Sequence, residues 1–380
     1  MIGKLHRIGS GKLIKRPPIS LKRQARPQSL TTAPKRQLHL SPRSAQERAS
    51  NETPYAEDEE DEDALMEELS EALHVVIEDD FLQPQLAKEL RETFDSRFKD
   101  PRQISPERFM WDYWHVPNQY TLIRTQAQVY FPLNAYEQLV DSLISFGEER
   151  LGCRAISPIW CSYYIEGCLQ ELHTDSYHGP FAFVLSLTQW EERMFRGGET
   201  MVLKPTTVDY WSAFDPGKGL EQADLVDLIP PLFNRLTVFD PRFPHGVKRV
   251  SGTNDPREAR IVLHGWFTTP EPFFSGGLSE EEASPVLQRV MENVIELVLD
   301  LPCSVSGLLS IRFTADRDSG IPSEVDWLAD TLIAVSSGSE MLAKDQIRAG
   351  IQSIIAAEVS RAKFPPSSAD TVITLPIVFS

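Results

Sequence analysis

The sequence predicts a mainly β protein: a β-sandwich or barrel with flanking helices, a small α+β module after it and a disordered tail before it. Two observations support this fold class. From residue 159 onward, short β-branched and aromatic runs such as "FAFVLSLT", "RLTVFD" and "ARIVLHGWF" are separated by Gly, Pro and charged turns, a spacing typical of sandwiches and barrels. Helical periodicity precedes that region and returns after residue 284.

Composition limits the classes of partner. The chain has 380 residues, 41% of them apolar, and a net charge of −17. Its first 46 residues contain eleven Lys and Arg and no acid, so the rest is even more acidic than the total suggests. Such a surface is a poor general binder of nucleic-acid phosphates, and we expect a protein or small-molecule substrate. No apolar run reaches the roughly 18 residues of a membrane span.

The four cysteines have no CxxC spacing. This argues against a zinc finger and against a disulfide framework. Reduced thiols in an intracellular or organellar compartment fit this pattern better.

Residues 1–72 form the predicted tail. The first fifty are rich in Arg, Lys, Ser and Pro and contain a single acidic residue, Glu47, a composition typical of a mitochondrial or plastid transit peptide. The run "KRPPISLKRQARP" also fits a nuclear signal, and a plain basic tail of a cytoplasmic protein has the same composition. The acidic run "AEDEEDEDALMEELSE" then reads as a solvated linker.

The ordered region begins at a short predicted strand, His74–Ile77. A helix follows, because Leu86, Leu90, Phe94 and Phe98 recur every four residues. A second helix covers 135–151, and between the two lies an aromatic-rich segment that ends in a strand. Its Trp111, Tyr113, Trp114 and Tyr120 fit either a substrate mouth or core packing.

A metal site is suggested by His173 and Asp175, which lie two positions apart where a strand ends. Residues i and i+2 point to the same face of a strand, so both can bind one ion. His245 is the candidate third ligand, and Arg260 opens a later strand. Two His and one carboxylate form the facial triad of non-haem iron(II) oxygenases. Taken alone, the His-x-Asp pair fits an accidental polar turn equally well.

The runs "YYIEGCLQELHTD", "FRGGETMVL", "RLTVFDPRFPHGVKRV" and "ARIVLHGWF" together resemble the 2-oxoglutarate- and iron(II)-dependent oxygenases of the prolyl 4-hydroxylase type, over residues 73–272. The segments "RFMWDYWHVP" and "LHGWF" are similar to uncharacterised oxygenases of plants, algae and photosynthetic bacteria. The resemblance implies a double-stranded β-helix, a jelly-roll barrel. It implies iron binding by His173, Asp175 and His245. It also implies that Arg260 binds 2-oxoglutarate, with Tyr164 hydrogen-bonded to this co-substrate.

The same resemblance implies an enzyme that uses iron(II), 2-oxoglutarate and O2, with ascorbate as reductant, to hydroxylate an unactivated C–H bond while 2-oxoglutarate becomes succinate. Relatives that halogenate replace the carboxylate ligand with a small residue, so Asp175 favours hydroxylation. The alternative function is a non-catalytic adaptor built on the same barrel. The sequence does not identify the substrate.

Two further histidines and a glycine pair are expected to have other roles. His178 follows the His-x-Asp turn and is not expected to bind metal. His264 shares strand parity with Arg260, so it faces the barrel interior as a supporting side chain or as a core histidine. Gly197 and Gly198 are expected to form a turn rather than a phosphate site, because no helix follows them.

The last predicted unit covers residues 285–380. It contains a helix near 284–300, the strand "GLLSIRFTAD" and a helix with a shared apolar face; that face is formed by Ile347, Ile351, Ile354, Ile355 and Val359. Residues 305–380 loosely resemble the C-terminal domain of TonB-like proteins. That resemblance implies a module that binds a protein partner, or one that stabilises the barrel.

Overall fold

The computed structural model of the chain describes residues 75–100, 102, 104–175, 178–205, 207, 225–336 and 344–379. The predicted tail and its targeting signal, residues 1–72, lie outside the described residues and stay predictions. Within the described residues, no helix combines the length and the apolarity needed to cross a membrane.

A twelve-stranded antiparallel sheet curls into the main body, which confirms the predicted β fold. Its central path runs β1-β10-β7-β12-β5-β3-β6-β11-β8-β9, while β2 pairs with β3 and β4 pairs with β12. The strands are β1 Val75–Glu78, β2 Asp112–Val116, β3 Tyr120–Gln126, β4 Cys153–Ile156, β5 Trp160–Tyr164, β6 Leu169–His173, β7 Phe181–Ser186, β8 Thr200–Leu203, β9 Val226–Ile229, β10 Leu236–Phe239, β11 His245–Val247 and β12 Arg260–Pro270.

Strand β12 organises the sheet, because it pairs with β7 on one side and with β5 on the other. Its side chains alternate between the two faces. Arg260, Val262 and His264 line an internal cavity. Ile261 and Leu263 point the opposite way, into the main apolar core. The alternation therefore separates the polar interior of the curled sheet from the core that holds it together.

Three helices cover the outer face: α1 Pro84–Phe98, the short α2 Ala127–Tyr130 and α3 Leu133–Phe146. Helix α1 begins with Pro84 at its first turn, where a missing N–H costs nothing. In the predicted apolar row of α1, Leu86, Leu90 and Phe94 are buried and Phe98 is partly buried, and all of them pack in the same core as Leu263. The predicted second helix, residues 135–151, is present as α3 up to Phe146. The chain then makes one wider helical turn, Gly147–Leu151.

The C-terminal module has a second sheet, in the order β13-β17-β14-β15, with β16 also pairing with β14. Its predicted helix face packs into the core, since Ile347, Ile351, Ile355 and Val359 are all buried. The strands are β13 Phe273–Gly276, β14 Cys303–Ala315, β15 Asp326–Asp330, β16 Ile333–Ser336 and β17 Thr371–Phe379, and the helices are α4 Glu280–Leu299 and α5 Lys344–Ser360. The module contacts the barrel directly, because the Ser310 hydroxyl donates to the Leu151 carbonyl at 2.5 Å.

Replacing Leu263 with alanine tests the central role of β12. This side chain is fully buried between the sheet and the helices, so its truncation leaves a cavity. We expect the free energy of unfolding to fall by about 2–5 kcal/mol, measured by urea denaturation. Leu133→Ala is the matched control, since Leu133 is 65% exposed, and its loss is expected to stay below about 0.5 kcal/mol.

Candidate metal centre and its cavity

The curled sheet encloses a cavity of about 310 Å³. Side chains from β3, β5, β7 and β12 form one wall, and side chains from β6, β8 and β11 form the other. Among the described residues that line it, Asp175 is the only carboxylate. Two arginines, Arg124 and Arg260, also line the cavity.

The two predicted histidine ligands are cross-strand neighbours. His173 is the last residue of β6, His245 is the first residue of β11, and the antiparallel register pairs them directly. Directly opposed side chains on one face of a sheet lie close together, and the ring centroids are 4.6 Å apart. Residues 72 positions apart in the chain are thus brought together by strand pairing.

Asp175 completes the cluster from the loop after β6. Its Oδ2 lies 3.7 Å from His173 Nε2 and 3.6 Å from His245 Nε2. Its backbone N–H donates to the Pro241 carbonyl at 2.9 Å, which fixes the start of the loop. The candidate ligand atoms of the three residues all lie within 4.8 Å of one another.

Electrostatics favour a cation at this cluster. Burial acts against ionisation of Asp175, but the two imidazoles beside its carboxylate outweigh that effect and hold the pKa of Asp175 well below its usual range. Burial also opposes protonation of His173, yet Asp175 and the Glu171 carbonyl raise the pKa of His173 above its ordinary value. No described Lys or Arg makes an ion pair with Asp175. An ionised carboxylate therefore faces two imidazoles without a permanent cation.

Backbone carbonyls fix both rings in the same way. His173 Nδ1 lies 2.9 Å from the Glu171 carbonyl oxygen, and His245 Nδ1 lies 3.0 Å from the Phe243 carbonyl oxygen. A carbonyl only accepts, so each Nδ1 carries the hydrogen and each neutral ring keeps its lone pair on Nε2. These two Nε2 atoms are the ones that face Asp175. The arrangement matches that of metal-binding histidines, whose second nitrogen donates to a fixed acceptor.

The loop before β11, which supplies the Pro241 and Phe243 carbonyls, is tied to the C-terminal module. The buried Asp240 accepts hydrogen bonds from Arg242 on both of its carboxylate oxygens. The Arg242 guanidinium also donates to the Thr331 carbonyl and to the Ser306 hydroxyl. The predicted module thus contacts the segment that positions Asp175 and His245, although it supplies no side chain to the cluster.

Arg260 is the largest fully buried side chain of the described residues, at 1% exposure. Its Nε donates to the Gly198 carbonyl at 2.7 Å and its Nη2 donates to the Thr200 hydroxyl at 3.0 Å. Its Nη1 is buried without a hydrogen-bond partner. No described carboxylate makes an ion pair with it, although burying an unpaired charge is costly. An anion in the cavity would satisfy this guanidinium.

The Gly197–Gly198 turn, just before β8, presents the Gly198 carbonyl to Arg260. The two residues have φ of 76° and 87°, the left-handed region that favours glycine. A Cβ on Gly197 would lie 1.8 Å from the Arg249 carbonyl oxygen. The predicted turn is present, but the hydrogen bond that its Gly198 carbonyl accepts from Arg260 could not be predicted from the sequence.

Tyr164 and His264 lie in the same cavity. The Tyr164 ring is stacked under the Arg260 guanidinium, whose Cζ is 4.6 Å from the ring centroid, and burial raises the pKa of the Tyr164 phenol. His264 Nε2 lies 2.8 Å from the Ser162 hydroxyl. Burial, followed by the charges of Arg260 and Arg124, lowers the pKa of His264 to about 3. His264 is therefore neutral at physiological pH.

The remaining predicted residues divide between packing and cavity. Trp111 packs in the core against Tyr130 and Tyr163, whereas Trp114 and Tyr120 line the cavity. Tyr113 is exposed. His178 stacks on Trp266 with ring centroids 4.3 Å apart, and it is not part of the metal cluster.

Comparisons with known proteins place these features in context. No family model and no curated protein matches the chain. A solved Pseudomonas putida prolyl-4-hydroxylase aligns at 15% identity over 54% of this chain and 97% of that one, with a TM-score of 0.37. A Trichoplax adhaerens prolyl hydroxylase, in complex with a peptide fragment of the hypoxia inducible factor oxygen degradation domain, aligns at 17% identity over 57% and 94%, with a TM-score of 0.35.

A third solved structure is the viral collagen prolyl hydroxylase of Paramecium Bursaria Chlorella virus-1 with bound 2OG. It aligns at 13% identity over 51% of this chain and 94% of that one, with a TM-score of 0.33. Similarity this low supports no inference about activity, so the chemistry of this chain rests on its own side chains.

Removing one imidazole tests the metal centre. We expect His245→Ala to weaken Co(II) binding at least tenfold in anaerobic calorimetric titrations, because one of three ligands is lost. His115→Ala is the control, since His115 is exposed and bonded to Thr121 rather than to the cluster. Equal Co(II) affinity in His245→Ala and His115→Ala would contradict the assignment.

Arg242→Ala tests the tie between the module and the loop. The loop carbonyls that hold His245 and Asp175 lose their anchor, so we expect Co(II) affinity to fall about tenfold, as for other residues that orient metal ligands. Arg348→Met is the control, because it breaks the Asp330 ion pair inside the module without touching the loop. Both variants lower the melting temperature, but only Arg242→Ala is expected to lower metal affinity. Equal metal affinity in the two variants would refute the coupling.

Proposed function

We propose that the chain is a 2-oxoglutarate- and iron(II)-dependent dioxygenase that hydroxylates an unactivated C–H bond and releases succinate and CO2. The observation that carries the proposal is the coexistence, in one cavity, of a His-Asp-His cluster and a buried guanidinium with a free donor. Two imidazoles and one carboxylate with open positions suit non-haem iron(II).

The cluster fits such an ion. Metal–nitrogen bonds of about 2.1 Å put neighbouring ligands about 3 Å apart. The separations of Oδ2 from the two Nε2 atoms, 3.7 and 3.6 Å, need only a small closure to reach that spacing. His173, Asp175 and His245 would hold the ion. Both imidazoles are already in the tautomer that offers Nε2.

The cavity also fits 2-oxoglutarate. Its far carboxylate would pair with Arg260, whose planar fork suits a carboxylate and whose Nη1 lacks a partner. The other two nitrogens of the guanidinium, Nε and Nη2, donate to the Gly198 carbonyl and the Thr200 hydroxyl. The fork is thus oriented before the co-substrate arrives. The Tyr164 ring stacks against one face of the guanidinium and holds it in place.

The protein's part in the reaction is orientation and exclusion of water. Bound iron supplies the activation of dioxygen, which amino-acid side chains cannot carry out. Arg260 fixes the co-substrate, and the neutral His264 with Ser162 offers a hydrogen-bonding pair without adding charge. The buried walls keep bulk water from the reacting groups. Asp175 occupies the carboxylate position, which favours hydroxylation over halogenation.

Finer features of the proposal are a prolyl-hydroxylase-like reaction, ascorbate as reductant, and a protein or small molecule as substrate. We also propose that the C-terminal module contacts a protein partner in addition to holding the barrel loop. Import into a plastid or mitochondrion stays a prediction, to be tested by fractionation of cells that express the full chain.

Anaerobic titration with iron(II) and then 2-oxoglutarate tests the proposal. We expect a weak visible charge-transfer band, followed by succinate formation when air and ascorbate are admitted. Arg260→Met is expected to raise the 2-oxoglutarate concentration for half-maximal band intensity at least tenfold, because the charge-assisted pair is lost. Arg260→Lys is expected to restore part of that loss.

Arg193→Met is the matched control, since Arg193 also stacks on an aromatic ring but lies outside the cavity. It should behave as the unmodified chain. A chain that gives neither band nor succinate would instead fit the non-catalytic adaptor.

A further inference from the structure

A second guanidinium lines the cavity, and the proposed chemistry does not use it. Arg124 lies on β3, and its Cζ is 4.0 Å from the Trp114 ring centroid and 4.3 Å from the Trp160 ring centroid. Two aromatic faces therefore hold the planar group between them by cation–π contacts. This clamp fixes the position of the charge while leaving the edge of the guanidinium, which carries its donors, unused.

The donors of Arg124 have no acceptor in the described structure. Its Nε is fully buried without a hydrogen-bond partner. The nearest acid by register is Asp112, its cross-strand partner on β2. Asp112 is exposed, and its charge acts on Arg124 from a distance rather than through an ion pair. A buried donor without a partner is destabilising, so a ligand that supplies an acceptor would gain binding energy from Arg124.

Charge balance identifies the kind of acceptor. This inference rests on the proposed function. There, the negative charges of 2-oxoglutarate and Asp175 together balance the positive charges of iron(II) and Arg260. The neutral His264 adds no charge. Arg124 is then the one positive group of the cavity that no carboxylate inside the cavity balances, since Asp175 is the only carboxylate among the described lining residues and Asp112 acts on Arg124 from outside.

We propose that Arg124 is the substrate anchor, and that the molecule to be hydroxylated carries a carboxylate that pairs with it. The cavity volume of about 310 Å³ lies at the lower end of ligand pockets. Once 2-oxoglutarate is bound, it has room only for a small acid or for one acidic residue of a longer chain. Trp114, 39% exposed, stands at the opening beside Arg124.

Matched probe pairs test the proposal. The anaerobic chain, loaded with iron(II) and 2-oxoglutarate, is titrated with N-acetyl-leucine, N-acetyl-proline and 3-phenylpropanoate, each against its primary amide. A second set pairs short peptides that contain Glu with the same peptides containing Gln. Perturbation of the charge-transfer band reports binding close to the metal.

We expect the acids to bind at least tenfold more tightly than their neutral partners in at least one of the two sets. A response in the first set indicates a small free acid as the substrate, and a response in the second set indicates an acidic residue of a peptide. Arg124→Gln should abolish the preference, and Arg124→Lys should keep part of it. Arg193→Gln, an arginine stacked on Trp190 outside the cavity, should leave the preference unchanged.

Equal binding of acids and neutral partners in both sets, or a preference that survives Arg124→Gln, would overturn the anchor while leaving the oxygenase proposal intact. Absence of the charge-transfer band before any probe is added would overturn both. The two failures are therefore distinguishable.

Discussion

The pairing of β6 with β11 is the constraint on which the site depends. It puts His173 opposite His245, and one register step would turn either imidazole to the other face of the sheet. The flanking backbone then completes the arrangement, because the carbonyls of Glu171 and Phe243 orient the two rings. The candidate metal centre thus depends on the strand register rather than on three independent side chains.

The cavity has one wall with a carboxylate and one wall with two guanidinium groups. One wall carries the His-Asp-His cluster, and the other carries Arg260 and Arg124. Arg260 of β12 joins the two walls, because it donates hydrogen bonds to the Gly198 carbonyl and to the Thr200 hydroxyl at the start of β8. A co-substrate that carries a charge at each end would span this separation. The same bonds tie the two halves of the barrel together.

Much of the fold followed from apolar periodicity. The row of Leu86, Leu90 and Phe94 predicted α1, and the Ile347–Val359 face predicted α5. Strands β2 and β9 were missed. Strand β2 is exposed along most of its length and β9 is only partly buried, so neither has the alternation that marks a half-buried strand.

The side chains brought together at the cluster were identifiable because their spacing resembles a known family. The supporting groups were not identifiable, because their roles depend on distant contacts. Arg242 looks like an ordinary surface residue in sequence, yet it joins Asp240 to the Thr331 carbonyl. The role of Arg124 was equally hidden in the sequence, because the two rings that stack on it, Trp114 and Trp160, come from two other strands. Local pattern carries no information about such contacts.

The most direct measurement is a crystal structure of the anaerobic protein with iron(II) and 2-oxoglutarate, phased with the anomalous signal of iron. The account predicts one iron peak within bonding distance of His173 Nε2, Asp175 Oδ2 and His245 Nε2. It also predicts the far carboxylate of 2-oxoglutarate against Arg260. An iron peak elsewhere, or a co-substrate that leaves the Arg260 guanidinium unpaired, would contradict it.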